Sequence, residues 1–170
     1  MKKGMYGFIL IASLFLTSPL FAATEDELRV LMTDARGASE FGDFDNAMSF
    51  CDQAIEAKPD FAEAYALRAQ AKAALNDMEG ARTDAQKAVE LAPDEQSIHP
   101  AYYVQAVLAL DVDSKPDAAL ASITKAVDLT ASKPVAEYFE LRADIHKAMG
   151  NQSLADADMA KSDEILGGGF

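Results

Sequence analysis

The chain has 170 residues, half of them apolar, no tryptophan, and a net charge of −13. That length fits one domain, and the acidity disfavours nucleic acid and anionic membrane surfaces as partners, because like charges repel. A single cysteine, Cys51, excludes an internal disulfide, so stability has to come from packing.

Lys2 and Lys3 precede an apolar run from Met5 to Leu16, followed by Thr17-Ser18-Pro19 and Leu20-Phe21-Ala22-Ala23. A basic start, a short apolar core and small residues before Thr24 describe a secretory signal peptide over residues 1–23, cleaved after Ala22 or Ala23. The rival is an uncleaved membrane anchor, for which the apolar stretch is short. With no cysteine nearby, lipidation is not supported. Removing Lys2 and Lys3 from 15 basic residues, against 28 acidic ones, brings the charge to −15. The expected location is periplasmic or secreted, or membrane-anchored if the signal stays.

Thr24 and Glu27 form a capping-box pattern for a first helix running to about Phe41. A second helix starts near Asp43 and ends at Lys58-Pro59. Helices three and four fill Phe61 to Ala92, with a turn at Asn76-Asp77 and a stop at Pro93. Asp94 to His99 is a longer connector. Pro100 suits the first turn of helix five, which carries Tyr102 to Leu110. Asp111 to Lys115 make a turn, and Pro116 starts helix six, which reaches Thr130. Ser132-Lys133-Pro134 lead to helix seven, and Gly150-Asn151 turn into helix eight, whose outer face has to be solvated. Residues 167–170, Gly-Gly-Gly-Phe, are expected to break that helix and form a loose tail.

One pattern recurs along this series. Pro59 and Pro93 lie 34 residues apart, and Ala62 to Pro93 places Tyr65, Ala69, Asn76, Ala81, Ala88 and Pro93 at positions 4, 8, 15, 20, 27 and 32. Leu31, Ala35, Gly42, Ala47, Ala54 and Pro59 repeat it upstream. Downstream, Phe139, Ala143, Gly150, Ala155 and Ser162 repeat it clearly. Tyr103, Ser114, Ala119 and Ala126 do so more loosely, with Val107 in place of a small residue at position 8. About four extra residues near Gln96–His99 and two near Pro134-Val135 interrupt the period. The pattern resembles the tetratricopeptide repeat, a helix–turn–helix in which small residues let two helices approach closely.

The resemblance implies an all-α, right-handed α-solenoid of about four repeats (28–61, 62–95, 100–133 and 136–166) within a domain over 24–166. It also implies a non-enzymatic interaction module that holds a protein or peptide in its concave groove, without a cofactor. Carried over, the groove positions give Arg29, Met32 and Arg36 in the first repeat and Glu63, Ala66 and Gln70 in the second. They give Val104, Leu108 and Asp111 in the third, and Glu140 and Asp144 in the fourth. Ser39, Glu40 and Glu137 fall at further such positions. Val104 and Leu108 form an apolar patch that either holds a partner segment or packs against the 94–99 connector. The lysine and asparagine that clamp a partner's terminal carboxylate in some family members are missing here.

Arginine at position 7 occurs only where position 23 is aspartate, which predicts Arg68–Asp84 and Arg142–Asp158 ion pairs. At partly exposed sites each contributes about 1 kcal/mol or less. Neither His99 nor His146 has a neighbour at metal-ligand spacing. Asp111 to Asp117 lacks the glycine and the bidentate glutamate of a calcium loop. Nothing resembles a nucleophile elbow, and Cys51 reads as a small core residue. A self-associating structural role in the cell envelope is the alternative to an envelope scaffold that binds other proteins.

Overall fold

The structure, a computed structural model, describes residues 24–167; the expected signal peptide and the last three residues of the tail lie outside the described residues. Thr24 and Glu27 close a capping box, each side chain bonding the other residue's backbone N–H, and α1 (Glu25–Glu40) follows. The remaining helices are α2 (Phe44–Ala57), α3 (Ala62–Ala74), α4 (Met78–Leu91), α5 (His99–Val107), α6 (Pro116–Leu129), α7 (Ala136–Ala148) and α8 (Gln152–Gly167). Among the described residues there is no strand. No helix among them is long and apolar enough to cross a membrane.

The hairpins turn at position 15. Gly42, Asn76, Ser114 and Gly150 have φ of 76°, 65°, 52° and 79°, the left-handed region that terminates helices. At Gly42 the N–H reaches back to the Ser39 carbonyl, and the next N–H, of Asp43, reaches the Ala38 carbonyl. The Asp43 and Asp77 side chains then accept from the N–H groups of Asn46 and Gly80 and start the next helix. Two adjacent residues thus end one helix and cap its partner.

The small positions of the repeat are the innermost part of the molecule. Ala35, Ala69, Ala47, Ala81, Ala119, Ala54, Ala88 and Ala126 are completely buried, and so are Ala143 and Ala155. With only a methyl group at each crossing, α1 packs on α2, α3 on α4, α5 on α6 and α7 on α8, and each hairpin packs on the next. The first helices also stack on one another, α1 on α3 and α3 on α5. This is the expected all-α solenoid. Leu28, Met32 and Cys51 fill the first hairpin, and a longer core runs from Ala62 to Ile145. Cys51 is fully buried, as a core residue should be.

Both expected ion pairs form, each with two hydrogen bonds: Arg68 to Asp84 at 2.7 and 2.8 Å, and Arg142 to Asp158 at 2.9 and 2.6 Å. The sites are partly exposed on the arginine side, where Arg68 and Arg142 are 18% and 19% exposed, while Asp84 and Asp158 are only 3% and 7% exposed. Position 23 sits between the two helices of its hairpin, where little water reaches the carboxylate.

Helix five departs from the expected span. Its α-helical part ends at Val107 and widens into a π-helical turn over Leu108–Val112. Alanine at position 8 is buried in the other three hairpins, whereas Val107 is too large for that crossing and stays half-exposed. Ala106 and Leu108 are buried beside it, and the widened turn absorbs the shift. At the C-terminal end, α8 turns exposed Asp156 and Asp163 outward, so its outer face is solvated as expected. The helix itself continues one residue into the glycine stretch, through Gly167.

Candidate partner-binding groove

The connector between α4 and α5 is built as a lip. Its Ile98 is fully buried in the main core, and Gln96–Ile98 form a 3-10 turn that packs on α3. Tyr102 Oη donates to the Pro93 carbonyl at 2.9 Å, and Lys125 pairs with Asp94 at 2.8 Å. Gln96 donates to Ser132 Oγ at 3.1 Å, which ties this connector to the one between α6 and α7. The two interruptions of the repeat period are therefore joined.

Between these connectors and the first two hairpins lies a cavity of about 890 Å³. Arg36, Ser39 and Glu40 of α1 and Leu67 and Gln70 of α3 form one wall. Glu95, Gln96, Ser97, His99 and Pro100 form the second, and the third comes from Thr130, Lys133, Val135, Glu137 and Tyr138. The Oγ atoms of Ser39 and Ser97 are buried and have no hydrogen-bond partner among the described residues. Both hydroxyls are shielded from solvent, so they lie within the wall and are not presented to the cavity.

The electrostatics are set by burial and by one ion pair. Arg36 hydrogen-bonds Glu63, whose side chain is 14% exposed. Burial pushes the Glu63 carboxyl up, Arg36 opposes the shift, and the charge of Glu95 adds to it. Burial, then the Arg36 charge, hold His99 down to about 4, so its imidazole is neutral at pH 7. Burial and nearby carboxylates raise both Tyr138 and Tyr103, which stack on each other with centroids 5.1 Å apart. Tyr138 Oη and His99 Nδ1 share a hydrogen bond between two neutral groups. Tyr103 donates to Glu137 at 2.7 Å.

The expected groove residues fall into three groups. Arg36 and Gln70 line the cavity, and Glu63 supports it through Arg36. Arg29, Asp111 and Asp144 are exposed away from it, and Glu140 is half-exposed and accepts from Ser162. Met32, Ala66, Val104 and Leu108 are at most 1% exposed. The last four pack in the core, which corrects their place in a groove: Met32 belongs to the cluster of the first hairpin, and Ala66, Val104 and Leu108 share a second cluster with Ile98 of the 94–99 connector. Val104 and Leu108 therefore present no open apolar patch. Sequence reasoning missed the connector walls and Tyr138. Their one visible signal was the pair of interruptions before the third and fourth repeats.

The family matched is the tetratricopeptide repeat, over residues 38–61 and 62–95. A protein SGT1 homolog of Oryza sativa subsp. japonica is 46% identical over 72 residues, which are 42% of this chain and 19% of that protein. The chain thus spans about a fifth of the length of the curated relative it matches. Among solved structures, PilW, a widely conserved type IV pilus biogenesis factor, is similar with a TM-score of 0.67 at 17% identity. The likeness covers 85% of this chain and 64% of PilW. The first repeat domain of Spaghetti (RPAP3), bound to the HSP90 peptide SRMEEVD, is similar with a TM-score of 0.59 at 18% identity. It covers 76% of this chain and 98% of that one. The described residues form an all-α solenoid of helical hairpins. More narrowly, the stretch 38–95 matches the tetratricopeptide repeat.

Proposed function

We propose that this protein is a non-enzymatic interaction module that holds a segment of a partner protein in the cavity between its first two hairpins and its two connectors. Tetratricopeptide repeats build protein–protein interaction scaffolds, and the similar RPAP3 domain is described bound to a peptide. The observation that carries the reading is the cavity of about 890 Å³, walled by both connectors and the first two hairpins and lined with polar side chains such as Arg36, Gln70 and Glu95. An extended peptide has a free N–H and C=O at every residue for such side chains to meet. The signal-like residues 1–23 support a site of action in the cell envelope, where the module would assemble other proteins.

The test is affinity capture from the envelope fraction, with wild type run beside a Gln70→Trp variant that narrows the cavity at its α3 wall. The reading expects one or more proteins held by wild type and lost from the variant at unchanged melting temperature. Identical capture by both proteins would sink it. A second reading, self-association, is favoured by the outward side of α1, where Val30 and Phe41 are 54% and 91% exposed. Light scattering at micromolar concentration tests it; a monomer refutes it.

A further inference from the structure

The outward face of α1 has an equivalent inside the molecule. Val30, Thr33 and Gly37 stand 34 residues before Ala64, Leu67 and Ala71 of α3. Those three are buried, and Ala64 and Leu67 share a core with Leu28, Met32 and Cys51 of the preceding hairpin. On α1 no described element covers the corresponding face: Val30 and Thr33 are exposed, and so is Phe41 at the helix end. The helical period puts Asp26, Val30, Thr33, Gly37 and Phe41 on one stripe. Gly37 is a separate anomaly on that stripe. It lies inside α1, where glycine is less stable than alanine. Its backbone is not left-handed, and a Cβ added to it would meet nothing within 4 Å. Packing among the described residues therefore does not call for glycine here, whereas close approach of a helix from outside does.

We infer that two copies of this chain pair through the outward stripe of α1, the two helices running antiparallel about a two-fold axis. The inference rests on the self-association reading above and gives it a surface and a register. The occupant is a second copy because the stripe is complementary to itself. An axis midway between Thr33 and Asp34 sets Val30 of each copy over Gly37 of the other, so the bulky side chain enters the gap, twice. The same register lays each Phe41 beside Asp26 and Val30 of the other copy and covers its ring. On one flank it brings Arg29 of each copy to Glu40 of the other, both of them exposed. Contacts in which one residue meets a second and the second meets the first are what a two-fold interface requires. A head-to-tail contact is opposed by charge, because α8 turns Asp156 and Asp163 outward and the stripe carries Asp26 with Asp34 beside it. The opposing feature of the two-fold pair is Asp34, whose two copies meet at the rim near the axis. One stripe of one helix is a small contact, which makes the dimer weak.

Sedimentation equilibrium of the purified protein over micromolar concentrations is the experiment, and a monomer–dimer equilibrium is the expected result. Gly37→Gln fills the gap and should weaken the dimer about tenfold. The same change should raise the melting temperature of dilute protein by about 3 °C, since glutamine is the better helix former; a glycine needed inside the monomer would give a fall instead. Asp34→Asn should tighten the dimer. The register is read by oxidation: Val30→Cys/Gly37→Cys should give a covalent dimer and Val30→Cys alone should not, Cys51 being buried. Crosslinking by Val30→Cys alone, or a dimer that Gly37→Gln leaves intact, would overturn the α1 pairing and leave self-association standing. A monomer at every concentration would overturn both, and slow reaction of the Val30→Cys thiol in that monomer would show the stripe covered by another part of the chain.

Discussion

The two arginine–aspartate pairs occupy equivalent places, yet they should respond differently to the same change. Asp158 has a side chain only 10% exposed and takes two hydrogen bonds from Arg142. Its other basic neighbour is His146 Nε2, 3.9 Å away and beyond hydrogen-bond reach. An Arg142→Met substitution keeps an aliphatic stem beside Phe139, above whose ring the guanidinium now sits at 5.2 Å. It leaves a buried carboxylate with no partner, and the expected loss is about 3–5 kcal/mol. Asp84 is as buried, but Lys72 Nζ stands 2.7 Å from it. Arg68→Met therefore leaves that carboxylate paired and should cost only about 1–2 kcal/mol. Urea unfolding followed by far-ultraviolet circular dichroism measures both. Pairing Arg142→Met with Asp158→Leu should restore most of the loss, since the charge is removed with its partner. The reasoning fails if Arg142→Met costs less than about 1 kcal/mol, or if both single changes cost the same.

Four further outcomes follow from the same packing and charges. Leu108→Ala should cost about 2–4 kcal/mol of unfolding free energy, because Leu108 is 1% exposed; an unchanged stability with weakened partner binding would return it to the groove surface. His99 is held down to about 4 against 6.5 in the unfolded chain, so the unfolded state takes up the extra proton between those values. Stability should therefore fall as pH drops from 6.5 to 4, by up to about 3 kcal/mol, and His99→Gln should flatten that part of the profile in denaturant titrations. Burial pushes the Cys51 thiol up to about 12, so it should resist a disulfide reagent at pH 8 in native protein and react at once in denaturant. Ser114 holds a φ of 52° that glycine adopts without strain, so Ser114→Gly should gain about 0.5–1 kcal/mol in thermal unfolding, while Gly42→Ala at 76° should lose a similar amount.

What could be read before folding was whatever the repeat imposes locally. The residue at position 15 must turn the chain, the residues at 8, 20 and 27 must be small, and position 7 follows position 23; each of these is a constraint between near neighbours in sequence. The groove was less legible. Met32, Ala66, Val104 and Leu108 stand at positions that face a hollow when neighbouring first helices are held apart. Here Met32 joins the core of the first hairpin, and the alanines of α3 let α5 come closer, so Ala66, Val104 and Leu108 fall into a second core. How close two helices come depends on the side chains of both, which are 38 residues apart at Ala66 and Val104. A frame read one repeat at a time does not contain that information.

The cavity then takes its shape from the irregular parts of the chain. A stack of uninterrupted repeats would join α4 to α5 and α6 to α7 by short turns. The extra residues before the third and fourth repeats instead make two lips, linked through Gln96 and Ser132, that stand opposite α1 and α3. The lips bring Glu95, Ser97 and Lys133 to the cavity, and they are anchored by Ile98 in the core and by Tyr102 and Lys125 on the helices behind them. The regular repeats carry these lips, and the lip side chains line the cavity proposed to hold the partner. Substitutions in the lips should therefore alter which segment is held with little effect on folding. Substitutions at the buried alanines should do the reverse, because a larger side chain at a helix crossing pushes the two hairpins apart.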